Sequence, residues 1–332
     1  MRAVVCSGFG VENASVQEVA KPRMIAAGVR ISVHSIGVSF ANLLVIDGKH
    51  QNKWEPPFTP GTEVAGVAIE CGPDTHHIKV GDRVVAGVKT GGYAEEVVAP
   101  ENTVFKLPDA VDFDAAVQFP TIYATAYAAL KWKAHLSKSE VLLVHGAAGG
   151  SGLAAIEIGK QLGARVIATA GSDDKAEVAK AHGADIAINY RKEDFREVVL
   201  EATNGRGANV VFDPVGGAVF DTSLRCIAPE GRIIPMGFAS GKIPQIPANI
   251  LLVKNITAIG LYWGYYMGWA RQEPESHVRS MVRKGFQELL EWTASGVLRP
   301  RTFKTFNLPA FRDALDAISS REVVGRVAIH PK

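Results

Sequence analysis

A glycine-rich turn between two apolar runs constrains this chain more than any other feature. The run Val141–Val144 is short and apolar, as expected of a strand buried on both faces. The turn that follows, HGAAGGSG, leads into a helical segment from Gly152 to Leu162 and a second apolar run, Arg165–Thr169. Because glycines allow a sharp bend and a close approach to a pyrophosphate, this order of elements predicts a dinucleotide-binding βαβ unit. The residues predicted to face the pyrophosphate are Gly149, Gly150, Ser151 and Gly152.

Charge and cysteine usage exclude several classes of protein. The chain has 36 basic and 34 acidic residues, and no block of like charge indicates a nucleic-acid or membrane partner. Its three cysteines, Cys6, Cys71 and Cys226, are odd in number and widely spaced, which fits neither a disulfide framework nor a metal knuckle. No uncharged apolar stretch reaches the roughly 18 residues that a membrane span needs. We therefore expect a cytoplasmic location.

Two kinds of sequence pattern follow one another along the chain. The N-terminal part consists of short apolar runs separated by turn residues, with predicted strands at Arg2–Cys6, Val29–Ser35, Val64–Glu70, Arg83–Gly87 and Glu95–Val98. From Val141 onward, apolar runs alternate with amphipathic helices, which predicts an α/β fold with a doubly wound parallel sheet of six strands. Beyond the first two runs its strands are predicted at Ile186–Asn189, Val210–Asp213, Arg232–Met236 and Ile256–Leu261.

The boundaries of the domains follow from where this alternation begins and ends. The stretch Asp112–Lys133 has Ala-rich helical spacing, and Pro120 marks a break within it. After Tyr266 the alternation stops, and the tail has no sheet of its own, so we expect it to complete the N-terminal domain. The prediction is a domain formed by residues 1–122 and 267–332 and a second domain formed by residues 123–266.

Several motifs together resemble one known family. They are HGAAGGSG, PGTEVAG at Pro60–Gly66, GDRV at Gly81–Val84 and the ending GRVAI. Over nearly its whole length the chain resembles the zinc-free, zeta-crystallin-like quinone oxidoreductases of the medium-chain dehydrogenase/reductase superfamily. The resemblance implies a β-rich GroES-like catalytic domain, a Rossmann domain with a six-stranded sheet, NADPH as the cofactor and, commonly, a homodimer.

The residues at the metal positions of related alcohol dehydrogenases predict that this chain binds no zinc. By resemblance these positions are Ser39 and Thr62, and Zn²⁺ prefers thiolate, imidazole or carboxylate ligands over hydroxyls. The segment from Asp82 to Pro100 also lacks the cysteines that hold the structural zinc of those enzymes.

The end of the second Rossmann strand favours NADPH over NADH. An acid usually binds the ribose 2′-hydroxyl of NAD at this point, but here the position holds Ala170. Asp173 and Asp174 come later, where a helix N-cap and first-turn acids explain them. The resemblance places the 2′-phosphate against Gly171, Ser172, Lys175, Tyr190 and Arg321. A solvated helix lysine is the alternative for Lys175.

The nicotinamide and substrate positions rest on the resemblance. Along the cofactor it places Gly217, Gly237, Phe238, Tyr262, Trp263 and Gly264. Tyr123 is placed near the nicotinamide, although packing at the domain junction is its alternative role. Where relatives carry an Asn, this chain has Ser39, and Asn42 lies one helical turn further on. His50 and Trp263 are candidates for the substrate pocket, and the aromatic cluster from Tyr262 to Trp269 is either an acceptor platform or a dimer edge.

These residues predict an NADPH-dependent reductase that transfers hydride to a planar acceptor, with a quinone favoured. Tyr123, Ser39 and Asn42 are the candidate donors to the oxyanion that develops on the acceptor. A reductase of conjugated C=C bonds, in enones or enoyl thioesters, is the alternative enzyme. A non-catalytic NADPH-binding or RNA-binding protein is the alternative from another class.

Overall fold

The structure, a computed structural model, describes residues 1–320 and 322–331. Its contacts divide the chain into two units, which we call the split unit and the central unit. The split unit comprises Met1–Thr121, Gly264–Gly296 and Pro300–Lys332, and the central unit comprises Ile122–Trp263 and Val297–Arg299. The predicted boundaries at 122/123 and 266/267 lie one and three residues from the first two of these divisions. The sequence does not predict the short return of Val297–Arg299 to the central unit.

The strands and helices carry the numbering used below. The strands are β1 Arg2–Cys6, β2 Ala14–Glu18, β3 Gly28–Val38, β4 Glu63–Cys71, β5 Arg83–Gly87, β6 Glu96–Pro100, β7 Val104–Lys106, β8 Val141–Val144, β9 Arg165–Ala170, β10 Ile186–Asn189, β11 Ala208–Asp213, β12 Ile227–Pro235, β13 Thr257–Ala258, β14 Thr302–Asn307 and β15 Arg326–His330. The α-helices are α1 Phe40–Ile46, α2 Phe113–Ala116, α3 Ala124–Tyr127, α4 Gly150–Gln161, α5 Asp173–Ala181, α6 Phe195–Ala202, α7 Ala218–Cys226, α8 Ala248–Lys254, α9 Trp263–Tyr266, α10 Ser276–Ala294 and α11 Phe311–Ser319. Single π-helical turns, Phe119–Tyr123 and Ala128–Lys133, flank α3.

The central unit is the predicted doubly wound parallel sheet. Its strand order is β10-β9-β8-β11-β12-β13, and every neighbouring pair is parallel. The order reverses between β8 and β11, and ligands of such sheets bind at the carboxyl edge beside this reversal. On one face, Leu143, Val211 and Ile233 form a buried core with residues of α6 and α7. The prediction of a Rossmann fold is therefore confirmed.

The split unit is built on a seven-stranded sheet. Six of its strands follow the order β14-β15-β3-β4-β5-β7, and β6 also pairs with β3. The C-terminal strand β15 runs antiparallel to β3, so the tail completes the N-terminal domain as the sequence predicts. The Arg326 guanidinium donates to the Glu63 carboxylate, and both side chains are buried. This ion pair joins the PGTEVAG motif to the GRVAI motif.

Several predicted elements differ from the structure at sheet edges and helix ends. The edge strand β13 has two residues instead of the predicted six at Ile256–Leu261, since only one side of it has a partner strand. β12 begins at Ile227 rather than at Arg232, because Ile227 pairs with Ala208 across a bulge. The helical break lies before Pro120, which occupies the first turn of a new helix. The sequence patterns predict none of β2, β7, β14 and α1.

Candidate nucleotide-binding site

At two positions of the glycine turn after β8, the backbone geometry requires glycine. Gly146 has a φ of +59°, a left-handed conformation that disfavours other residues. Its carbonyl oxygen accepts a hydrogen bond from the Gly149 amide at 3.0 Å. A Cβ atom at Gly152 would lie 2.4 Å from that same oxygen, so a side chain there would push α4 away from the turn. The glycines thus let α4 begin directly against the end of β8.

The first turn of α4 offers backbone donors at the carboxyl edge of the sheet. Gly149 is the N-cap and has no side chain to cap the helix, and the first amides of a helix have no partner within it. Gly149, Gly150 and Ser151 are partly exposed, whereas Gly152 is buried. Open amides at a helix N-terminus suit an anion, and the missing Cβ atoms allow a close approach. The turn therefore fits the pyrophosphate of a dinucleotide.

Four predicted residues come together at the ends of β9 and β10, and we call them the ribose loop: Gly171, Ser172, Lys175 and Tyr190. Ser172 is the N-cap of α5, and its Oγ accepts from the Lys175 amide at 3.4 Å. The Tyr190 amide donates to the Ala170 carbonyl at 3.1 Å. A Cβ atom at Gly171 would lie 2.8 Å from the Tyr190 hydroxyl oxygen, so the missing side chain leaves room for this phenol. The structure thus groups the backbone of Gly171, the N-terminus of α5 and the Tyr190 hydroxyl at one loop.

The two acids that follow the ribose loop belong to the first turn of α5, while the N-cap itself is Ser172. Asp173 accepts hydrogen bonds from the Asn189 amide group at 2.8 Å and the Lys192 ammonium at 2.5 Å. These bonds lower the pKa of Asp173. Its carboxylate is thus engaged with β10 and the loop beyond it. Ala170, where NAD-binding folds usually place an acid, is buried.

A third group of predicted residues lies at the ends of β11 and β12. Gly217 is the N-cap of α7, with a φ of +55°, and a Cβ atom there would lie 3.0 Å from the Ser240 Oγ. Gly237 follows β12, and the neighbouring Phe238 side chain is 43% exposed. This group adjoins the glycine turn, since a Cβ atom at Gly146 would lie 3.2 Å from the Pro214 ring. The structure thus brings all three groups to one edge of the sheet.

The remaining cofactor candidates are more dispersed. Trp263 is buried, with its ring centroid 6.2 Å from that of Trp132, whereas Tyr262 is 39% exposed. Gly264 is the first residue of a segment that belongs to the split unit. Arg321, the last predicted donor to the 2′-phosphate, lies outside the described residues. The positions of these four relative to a cofactor stay predictions.

In the split unit, Ser39 and Asn42 form one hydrogen-bonded pair at the start of α1. The Asn42 Oδ1 accepts from the Ser39 amide at 2.8 Å and from the Ser39 hydroxyl at 3.0 Å. The Tyr93 hydroxyl lies 3.4 Å from the same oxygen. Asn42 is buried and Ser39 is partly exposed, so the pair caps the helix and only Ser39 is accessible. His50, at the far end of this segment, is half-buried, and burial lowers its pKa.

Tyr123 lies in a hydrogen-bonded group that we call the Glu157 cluster: Glu157, Tyr123, His182 and Arg299. Tyr123 is 1% exposed, and its hydroxyl donates to the Glu157 Oε2 at 2.8 Å. The same oxygen accepts from the Arg299 amide at 3.1 Å, and the Glu157 Oε1 lies 2.6 Å from the His182 Nδ1. Burial and the Glu157 carboxylate raise the pKa of Tyr123 well above its ordinary value. This geometry favours the packing role that the sequence leaves as the alternative.

Sequence reasoning missed His145, which is buried on the α7 side of the sheet. Its Nδ1 lies 2.8 Å from the Thr169 Oγ1 and its Nε2 lies 2.8 Å from the Ser223 Oγ. Because the Ser223 hydroxyl donates to the Val219 carbonyl, it accepts from Nε2–H, and the neutral Nδ1 accepts from Thr169. Burial lowers the pKa of His145 to about 3. The signal in the sequence that could have identified His145 is a polar residue directly after a strand whose residues are all apolar.

Asp213 was also missed as a candidate, although it was placed at the end of a strand. It is fully buried, and its Oδ1 accepts from the amides of Val215 at 2.7 Å and Gly216 at 3.1 Å. Burial raises the pKa of Asp213, and these two donors oppose that shift. The signal was an acid at the end of a buried strand directly before Pro-Val-Gly-Gly.

Metal-binding side chains do not cluster in the part of the chain that the structure describes. Within residues 1–320 and 322–331, no three His, Cys, Asp or Glu side chains are grouped so that they could hold a metal ion. The three cysteines are free thiols. In the same residues no helix is both long and apolar enough to cross a membrane.

Comparison with known proteins places these features in one family. Residues 26–109 match the alcohol dehydrogenase GroES-like domain, and residues 150–282 match the domain described as zinc-binding dehydrogenase. The chain is 40% identical to a quinone oxidoreductase-like protein 2 homolog of Nematostella vectensis, over all of this chain and 89% of that protein.

Two solved structures show the same fold over the full length of both chains. The quinone oxidoreductase of Escherichia coli, solved with NADPH, is 28% identical with a TM-score of 0.90. A 2-haloacrylate reductase is 29% identical with a TM-score of 0.86. With its GroES-like unit, its doubly wound sheet and these relatives, the chain belongs to the quinone oxidoreductase family of the medium-chain dehydrogenase/reductase superfamily.

Proposed function

We propose that this protein is an NADPH-dependent oxidoreductase that transfers hydride to a quinone. The observation that carries the proposal is the ribose loop, which groups donors around the end of β9 while Ala170 stands where NAD-binding folds usually place an acid. The NADPH complex of the similar E. coli enzyme supports this choice of cofactor.

In this proposal the dinucleotide is held along the carboxyl edge of the central sheet. The amides of Gly150 and Ser151 bind its pyrophosphate, and the ribose loop binds its 2′-phosphate. Gly217, Gly237 and Phe238 line the edge further along. The nicotinamide, when bound, supplies the hydride, and the protein orients it and excludes competing reactions.

The acceptor requires little further chemistry from the protein. A quinone accepts the hydride from the nicotinamide, and the hydroquinone anion that results takes its proton from water. Of the three catalytic candidates the Ser39 hydroxyl, partly exposed at the start of α1, is the accessible one, and it must turn its proton away from the Asn42 Oδ1 to donate to an acceptor. Asn42 orients that hydroxyl through the 3.0 Å hydrogen bond. Trp263 and His50 are retained as candidates for the substrate pocket.

A reductase of conjugated C=C bonds is the second candidate. It is favoured by the similarity to a 2-haloacrylate reductase, whose name indicates reduction of an activated double bond. Hydride addition to an enone follows the same conjugate chemistry, but it benefits from a side chain that protonates the α-carbon. Tyr123 was the candidate for that proton transfer, and its hydroxyl donates to Glu157 instead. For this reason we propose the C=C reductase as the second candidate only.

Activity without zinc is also part of the proposal. Ser39 and Thr62 occupy the ligand positions of related alcohol dehydrogenases, and their hydroxyls are poor zinc ligands at neutral pH. We expect purified protein to contain no stoichiometric zinc and to keep its activity in a chelator. One zinc per chain in metal analysis, with loss of activity after chelation, would contradict this expectation.

A homodimer in the cytoplasm completes the proposal. β13 lies at the edge of the central sheet, and an edge strand of this kind can pair with its equivalent in a second copy. The segment before it exposes Ile243, Leu252 and Val253, with Leu252 76% exposed. The three free thiols suit a reducing compartment. Light scattering at micromolar concentration tests the dimer directly.

One experiment tests the main proposal. NADPH and NADH oxidation is followed with a panel of quinones and enones, and faster turnover of quinones with NADPH supports the proposal. Faster turnover of enones would transfer the assignment to the second candidate. Binding of NADPH without turnover of any acceptor, or retention of RNA on a filter at moderate salt, would indicate a non-catalytic protein.

A further inference from the structure

Asp213 has a hydrogen-bonding pattern that uses only one of its two carboxylate oxygens. Oδ1 accepts from the amides of Val215 and Gly216. Oδ2 is buried and has no hydrogen-bond partner among residues 1–320 and 322–331. Buried polar atoms without a partner are rare in folded proteins, and each calls for a physical explanation. The Asp213 side chain therefore acts as a hydrogen-bond acceptor through Oδ1 only.

The turn that Asp213 holds is part of the candidate nucleotide site. It comprises residues 214–217 and includes Gly216, with a φ of +71°, and Gly217, with a φ of +55°. Two successive left-handed residues are conformationally costly for a free chain, because glycine has many other conformations available. The two amides that donate to Oδ1 lie within this turn, and their hydrogen bonds restrict the other conformations of its glycines.

The same turn supports the segment that follows β12. The Ala239 amide donates to the Pro214 carbonyl at 3.1 Å, and the Ser240 amide donates to the Val215 carbonyl at 3.0 Å. A Cβ atom at Gly216 would lie 3.2 Å from the Phe238 ring, so the backbone of the turn packs directly against this side chain. The conformation of the turn therefore sets the position of Gly237 and Phe238.

We propose that Asp213 is a positioning residue for the nicotinamide nucleotide, which pre-forms the turn 214–217 and the adjoining Phe238 segment through its Oδ1 alone. This inference rests on the proposed function, since it assumes that this edge of the sheet binds a dinucleotide. Asp213 touches neither cofactor nor substrate in this role. Because Asp213 holds the turn in place before binding, less of the backbone has to be ordered when the nucleotide binds, and this raises the affinity for the nucleotide.

Two variants with the same branched arrangement of heavy atoms separate the acceptor from the rest of the side chain. Asp213→Asn keeps an acceptor oxygen at Oδ1, whereas Asp213→Leu removes it. We expect Asp213→Leu to weaken NADPH and NADH binding alike, by about tenfold in Kd. Asp213→Asn should stay within about twofold of the wild type. In turnover, Asp213→Leu should raise the KM for NADPH and leave kcat nearly unchanged.

A second measurement works without any nucleotide. Hydrogen exchange of the Val215 and Gly216 amides in the free protein should become at least about tenfold faster in Asp213→Leu, and should be unchanged in Asp213→Asn. Asp221→Ala, at an exposed acid on α7, is the matched control and should change neither exchange nor affinity. If Asp213→Leu does not fold, Asp213→Ala replaces it.

The outcomes distinguish this inference from the proposed function. If the wild type binds neither NADPH nor NADH, the proposed function fails, and with it the role of Asp213 toward a nucleotide. Equal damage by Asp213→Asn and Asp213→Leu would overturn the role of Oδ1 as a simple acceptor. Faster exchange with unchanged affinity would reduce Asp213 to a structural residue.

Discussion

The ribose loop and the Glu157 cluster both concentrate polar side chains in the central unit, but the two differ in how far those side chains are exposed. In the ribose loop, Ser172 and Lys175 are partly exposed and Tyr190 is 47% exposed. In the Glu157 cluster, Glu157 and Tyr123 are buried, and both carboxylate oxygens already have partners within the protein. Accessible donors favour ligand binding, whereas satisfied buried groups stabilise the fold. Mutations of polar residues should therefore affect ligand binding in the ribose loop and stability in the Glu157 cluster.

The largest effect should come from Glu157. Glu157→Ala leaves the Tyr123 hydroxyl, the His182 ring and the Arg299 amide without their acceptor. The buried Tyr123 hydroxyl costs about 1–3 kcal/mol when it loses a charged acceptor, and the partly buried bonds of His182 and Arg299 add to this, so we expect a loss of about 3 kcal/mol in the free energy of unfolding. Urea denaturation measures this loss, with Glu177→Ala, at an exposed position of α5, as the control. A loss below about 1 kcal/mol would contradict the importance of this cluster.

The buried His145 predicts a second large effect, this time on pH dependence. Its pKa is about 3 in the folded protein, against about 6.5 when unfolded, so the unfolded chain binds more protons between these values. The stability that depends on neutral His145 is complete above about pH 6.5 and is lost as the pH falls toward 3. At pH 5 the loss is about 2 kcal/mol.

Urea denaturation at pH 7 and pH 5 measures this dependence. The difference between the two pH values should be smaller in His145→Gln, which cannot titrate, than in the wild type. An identical difference in the two proteins would show that other groups cause the pH dependence.

Lys175 should show the opposite behaviour, with an effect on binding and little on stability. Lys175→Ala removes a cation from the ribose loop, which should weaken NADPH binding by about tenfold while NADH binding barely changes. Lys180→Ala, on the same helix and paired with Glu177, is the matched control. Fluorescence titration with both cofactors measures the difference. Equal weakening of NADPH and NADH would remove Lys175 from the 2′-phosphate site.

The smallest effect is expected for Tyr123→Phe. It removes one hydrogen bond to Glu157, which should cost about 1 kcal/mol of stability. Quinone turnover should fall less than about tenfold, since an essential general acid usually contributes 10² or more. Steady-state kinetics with NADPH and a quinone test this. A larger fall in kcat with unchanged NADPH affinity would identify Tyr123 as an obligatory acid and favour the C=C reductase.

The sequence predicted those features that depend on short-range pattern. The bounds of β1, β5, β8 and β10 match the predicted ones, because a buried strand is a continuous apolar run between turn residues. The glycine turn could be located for a related reason, since it follows directly after such a strand, whereas the residues of the ribose loop came from the resemblance to the family. The short length of β13 was not predictable, because it depends on the position of this strand at the edge of the sheet.

Features that depend on distant partners were not available from the sequence. Nothing near Tyr123 indicates Glu157 on α4 or Arg299 near the other end of the chain. The hydroxyl of a tyrosine looks like a donor to a substrate until its acceptor is known. Asp213 is a mixed case, because its two backbone partners are only two and three residues away, whereas its burial depends on the strands β8 and β12 that flank β11.

The return of Val297–Arg299 to the central unit has a consequence for synthesis of the chain. The Glu157 cluster takes one donor from the Arg299 amide, and Arg299 also donates from its guanidinium to the Ala181 carbonyl at 2.6 Å. As the chain leaves the ribosome, residues 122–263 emerge well before Arg299 does, so the central unit first folds with an incomplete cluster. A fragment that ends at Trp263 would retain that defect permanently, and adding a peptide that contains residues 297–299 should slow its proteolysis.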